Sequence, residues 1–103
     1  MLVQIASPGT DLSDEDRAQI EEDLQKIQRR LPNRDIRAEV RVKDGEGRVG
    51  YHVVIELDYG RTHLSAVEDH TDVGQAVRAA REDLLRQIND RSRRGHSSFA
   101  KGT

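Results

Sequence analysis

The chain predicts an α+β domain in the order β-α-β-β-β-α, a four-stranded sheet with two helices packed on one face. Three observations carry this. Apolar residues recur at helical spacing in 20–31 and 73–88, they alternate with period two in 36–43 and 51–58, and turn-forming residues punctuate the changes of period. At 103 residues with 34% hydrophobic and 35% charged positions, the chain has enough apolar surface for one sheet-plus-helix core and little to spare. Disorder is the competing reading of such polarity, and the periodicity argues against it.

Each element has a local cause. Leu2, Val3 and Ile5 form a short apolar run ended by Ser7-Pro8-Gly9, which predicts a first strand over about 2–6. Ser13 before Asp14, Glu15 and Asp16 is a helix start, with a hydroxyl to cap free N–H groups and carboxylates at the positive end of the dipole. Ile20, Leu24, Ile27 and Leu31 then share one stripe, Arg29 and Arg30 stand near the negative end, and Pro32 closes the helix.

In the second strand Ile36, Ala38, Val40 and Val42 point to the core, and Arg37, Glu39, Arg41 and Lys43 point away. Asp44-Gly45-Glu46-Gly47 is a turn. Tyr51, Val53, Ile55 and Leu57 face the core from the third strand, Tyr59-Gly60 turns again, and Thr62 to Val67 forms the fourth. The hairpins predict antiparallel neighbours. Asp69 to Asp72 can cap a last helix on which Val73, Val77, Ala80, Leu84 and Ile88 fall in a narrow arc, and Gly95 predicts its stop. A domain over 1–95 and a flexible tail over 96–103 follow, since HSSFAKGT has no period.

Charge is unevenly spread. The net charge is −2, but residues 44–72 hold two basic against seven acidic groups, whereas 73–103 hold seven basic against three acidic. A basic face is therefore compatible with an acidic protein. The absence of cysteine excludes disulfides and Cys-ligated zinc and permits a cytoplasmic location. No signal peptide or spanning segment is expected.

Motifs for chemistry are missing. His52, His63, His70 and His96 match no compact metal-ligand spacing, and Ser65, Ser92, Ser97 and Ser98 lack a nucleophile context. No Gly-rich phosphate loop occurs, and Tyr51, Tyr59 and Phe99 are too few and too scattered for a base-stacking platform. No catalytic residue, metal, cofactor, small-molecule substrate or membrane is expected.

The second half carries a family likeness. Leu64 to Ala66, then Asp72-Val73-Gly74-Gln75-Ala76-Val77, then Leu84-Leu85-Arg86-Gln87-Ile88-Asn89 and Arg91-Ser92-Arg93-Arg94-Gly95 resemble the end of the ribosome hibernation-factor family, with its L-x-A strand, D-x-x-x-A-[IV] helix start and L-x-R-Q-[IL]-x helix. Leu24-Gln25-Lys26-Ile27-Gln28-Arg29 is similar to the family's L-x-K-[IL]-x-[KR], and the element order agrees over residues 1–95.

The resemblance implies a factor that lodges in the mRNA and tRNA channel of the small ribosomal subunit, on 16S-type rRNA, and holds ribosomes inactive under stress without being an enzyme. Lys26, Arg29 and Arg86 match basic positions of that family, and Arg93 and Arg94 match its basic helix end. Arg78 and Arg81 join them by inference from the same helix. Arg37, Arg41 and Lys43 admit two readings, RNA contact or a solvated strand face, and Arg91 to Arg94 admit RNA contact or relief of a helix dipole.

The sequence also departs from the family. Asp83 and Asp90 stand where lysine is usual and Gly74 where an aromatic is usual. The chain lacks the C-terminal dimerisation domain of long members, so it resembles a short form or a divergent paralogue. An alternative reading is a protein-interaction module of the stress response that does not bind ribosomes. The expected state is a monomer or weak homodimer.

Overall fold

A computed structural model describes residues 1–31, 35–45 and 50–101, with side chains to residue 91. The elements run β1 (Leu2–Ala6), α1 (Asp14–Gln28), β2 (Ile36–Asp44), β3 (Tyr51–Tyr59), β4 (Thr62–His70) and α2 (Val73–Lys101). This is the expected α+β order. The expected closure at Pro32 and the Glu46-Gly47 part of the first hairpin turn lie outside the described residues.

The sheet is mixed, in the order β1-β2-β3-β4. β1 pairs with β2 in parallel, Leu2 opposite Arg37 and Ala6 opposite Arg41, whereas β2–β3 and β3–β4 are antiparallel. α1 makes the parallel pairing possible, because a crossover must return the chain to the starting edge. The β3–β4 turn has two residues, Gly60 and Arg61, between the partners Tyr59 and Thr62. Gly60 sits at φ 58°, the left-handed conformation that a tight hairpin requires at its first central position.

Both helix starts are capped. Ser13 Oγ accepts the Asp16 N–H at 3.0 Å while Asp16 Oδ2 accepts the Ser13 N–H at 3.3 Å, a reciprocal box that fixes where α1 begins. Asp72 Oδ1 accepts the Gly74 N–H at 2.9 Å at the start of α2. The core beneath the helices is built from Ile20, Leu24 and Ile27 of α1, the inward residues of β2 to β4, and Val73, Ala76, Val77, Ala80, Leu84 and Ile88 of α2. These are the stripes read from the sequence. Leu31 and Tyr51 pack at the margin rather than in full burial.

Two boundaries differ from expectation. β4 reaches His70, three residues beyond Val67, because Glu68, Asp69 and His70 pair with Val53, His52 and Tyr51 of β3. α2 passes through Gly95 to Lys101. Glycine inside a helix costs roughly 1 kcal/mol but keeps its N–H in the ladder, so it weakens a helix without imposing a stop.

Candidate nucleic-acid interface

β1, β2 and β4 run in one direction, so α1 and α2, each returning over the sheet, both run in the other. α1 therefore ends partway along α2, which runs on in the same direction to Lys101. The level is set by an ion pair between the helices, Arg81 Nη1 to Asp23 Oδ1 at 2.6 Å. With that pairing, Gln28 at the end of α1 lies level with Arg86 of α2. Lys26 of α1, Arg29 and Arg30 just beyond it, and Arg86 and Arg91 of α2 are exposed at this level.

This cationic end has local opponents. Asp83 Oδ1 is 4.0 Å from Arg86 Nη1, and Asp90 is exposed on the same helix. The Glu82 carboxyl is held below its ordinary range, first by its hydrogen bond with Arg81, with further lowering by the fields of Arg86 and Lys26. Lys26 Nζ also lies 4.0 Å from Asp23. Arg29, Arg30 and Arg91 form no ion pair among the described residues. Arg78 is likewise exposed, two turns nearer the start of α2.

Arg81 has a different role from its neighbours. Its side chain is only 11% exposed, with Nη1 on Asp23 and Nη2 on Glu82 at 2.7 Å, and Nε is buried without a partner. Burial opposes the charge of Arg81, but the hydrogen bonds and fields of Glu82 and Asp23 outweigh it and raise the pKa. Asp23 is itself 1% exposed. The guanidinium named as an additional RNA contact is thus occupied as an interhelical clasp. Removing Arg81 would strand the buried charge of Asp23, whereas removing Asp23 would leave Arg81 its pairing with Glu82.

Asp23 and the clasp were missed in reading the sequence. A signal exists: Asp23 falls on the stripe of Ile20, Leu24 and Ile27, and a carboxylate in such a stripe requires a cation brought from elsewhere.

The opposite face of the sheet carries Arg37, Arg41 and Lys43, all exposed, as the alternation predicts. Glu39, Glu56, Asp58 and Asp69 share that face, so three cations meet four carboxylates. Arg41 Nε is 2.7 Å from Glu39 Oε1. His52 Nδ1 lies 2.7 Å from Asp69 and His63 Nδ1 2.6 Å from Asp58, each across neighbouring strands. The hydrogen bond with Asp58, reinforced by the Asp58 and Glu56 charges, raises the pKa of His63 above the ordinary histidine value.

A shallow depression of about 300 Å³ between Pro8, Arg41, Lys43, His52 and Val54 is also lined by Glu39 and Glu56. Among the described residues no three metal-binding side chains gather, and no helix is long and apolar enough to cross a membrane.

The ten predicted site residues are thus divided. Lys26, Arg29 and Arg86 lie at the level where α1 ends, Arg78 stands two turns nearer the start of α2, Arg81 is engaged inside, and Arg37, Arg41 and Lys43 lie on the other layer. Arg93 and Arg94 continue α2, where the backbone alone is described.

Fold and surface define a two-layer βαβββα domain with a cationic end and a charge-compensated open sheet. The family described as Sigma 54 modulation protein / S30EA ribosomal protein matches residues 3–96, and the chain belongs to it. Among solved structures, the chain is similar to the N-terminal domain of Protein Y from Thermus thermophilus, with TM-score 0.74 and 19% identity over 85% of this chain and 96% of that one. It is also similar to a ribosomal subunit interface protein from Coxiella burnetii, with TM-score 0.76 and 20% identity over 89% and 98%. At these identities the likeness is one of fold. No curated protein sequence matches the chain.

Proposed function

We propose that this protein is a ribosome-associated factor of the cytoplasm that docks on small-subunit rRNA in the mRNA and tRNA channel under stress and silences translation by occlusion. Membership of the family supports association with the ribosome. The observation that carries the RNA contact is the gathering of Lys26, Arg29, Arg30 and Arg86 at the level where α1 ends alongside α2, with Arg93 and Arg94 farther along α2. Cations spread over rigid helix ends suit recognition of folded RNA by phosphate and shape. Arg37, Arg41 and Lys43 are secondary in this reading, because carboxylates of the same face offset them. The action needs no catalytic residue or cofactor.

Co-sedimentation with purified small subunits at low and moderate salt tests the proposal. Comigration that weakens as salt rises is expected, since phosphate contacts release counterions. Absence of comigration at both salt concentrations overturns it.

A second reading is an interaction module of the stress response that does not bind ribosomes. The observation favouring it is the open sheet, where carboxylates outnumber cations and Val67 is 53% exposed. Copurification with a protein partner and never with ribosomes would select it.

A further inference from the structure

The two edges of the sheet are unequal. β1 is five residues long and ends at Ser7-Pro8-Gly9, which cannot continue a ladder. β4 is nine residues long, pairs with β3 without a bulge, and contains no Pro, Gly, Lys or Arg. Natural edges are usually blunted by such devices, and an edge without them is a template for another strand.

The polarity of this edge can be read from one contact. Gln87 of α2 donates from Nε2 to the backbone carbonyl of Ser65 at 2.9 Å. That carbonyl therefore points away from β3. By the alternation of an antiparallel ladder, the N–H and C=O groups of His63, Val67 and Asp69 point outward with it.

We propose that the outer edge of β4 pairs with β4 of a second copy of this chain, antiparallel about a two-fold axis at Ala66. In that register Ser65 faces Val67 and His63 faces Asp69 across the junction, so every outward donor meets an outward acceptor. The charges also agree. Within one chain Arg37 pairs with Asp58 and Asp58 with His63, while His52 pairs with Asp69. The dimer extends this into one row in which carboxylates and basic groups alternate from Asp58 through His63 and the second copy's Asp69 to its His52.

A self-complementary edge favours a second copy over an unrelated strand. Gln87 is the latch: it occupies the Ser65 carbonyl in the single chain and has to release it for the strand to add. The proposal is independent of RNA binding.

Sedimentation velocity over a concentration series tests it. The mass is expected to rise from 11.7 kDa toward twice that value, with Gln87→Ala tightening association by up to about tenfold for each of the two latches released, the worth of one neutral hydrogen bond apiece. Val67→Pro, which removes an outward N–H and spares the β3 ladder, is expected to abolish dimers with an unchanged circular dichroism spectrum. Val67→Lys does the same by charging the edge.

Because the chain has no cysteine, register is read separately by mixing Ser65→Cys with Val67→Cys proteins, which should cross-link more in the mixture than either alone. The proposal is overturned if wild type and Gln87→Ala remain monomeric throughout. It is also overturned if dimers persist in both Val67 variants, or if the mixed cross-link gives no excess.

Discussion

The level where α1 ends carries five exposed cations and the open sheet face three, and the two regions differ further in what stands beside them. On the sheet, strand pairing sets each cation beside a carboxylate or histidine partner: Arg37 opposite Asp58, Arg41 beside Glu39, Lys43 opposite His52 and, one strand on, Asp69. Where α1 ends alongside α2, Arg29, Arg30 and Arg91 have no such partner among the described residues. Local compensation, rather than the count of Lys and Arg, therefore separates the face suited to phosphate from the face suited to protein.

The largest way to disturb this contrast is to release the clasp that holds the helix ends level. Arg81→Ala is expected to lower stability by about 3–5 kcal/mol, because it leaves Asp23 buried without its close cation, and Asp23→Ala by less, because Arg81 keeps Glu82. Asp23→Leu combined with Arg81→Met should recover most of the loss. Urea unfolding measures all of them.

Next in size is the cationic end itself. Arg29→Glu with Arg86→Glu is expected to weaken small-subunit binding by roughly tenfold or more at moderate salt and to flatten the salt dependence, while the unfolding midpoint stays near wild type. Equal binding by the double variant would remove the helix ends from the interface.

The matching change on the sheet should do much less. Arg37→Gln with Arg41→Gln is expected to alter small-subunit binding by no more than about twofold, since those cations are already offset by neighbours. A loss as large as that of the helix pair would place RNA on the sheet and end the comparison.

The smallest effect is a titration. His63 is raised by Asp58, so its contribution to stability is complete below the ordinary histidine value and is lost as pH rises through the raised value. NMR titration of the ring should give a midpoint above that of an unperturbed histidine, and Asp58→Asn should move it down.

Much of the fold is legible in single residues. Ser13 with Asp16 sets the start of α1, the alternation from Ile36 to Val42 sets which side of β2 is buried, and Gly60 sets a two-residue turn. These are local, because a cap, a pleat and a left-handed turn act within a few bonds. Where the local rule was weak the reading slipped: β4 gains three residues from pairing with β3, and α2 runs through Gly95.

The candidate site was legible as a set of cations and not as a surface. Arg78, Arg81 and Arg86 look alike along the chain, but Arg81 is drawn inward by an aspartate 58 positions away, while Arg78 and Arg86 remain in water. Likewise nothing near Gln87 announces that it reaches Ser65 on the sheet edge. Element type, order and burial stripe were thus determined by the sequence alone, since periodicity and turn chemistry are short-range. Which charges are spent on one another and which remain for a partner was decided by tertiary structure, because Coulomb and hydrogen-bond energies depend on separation in space.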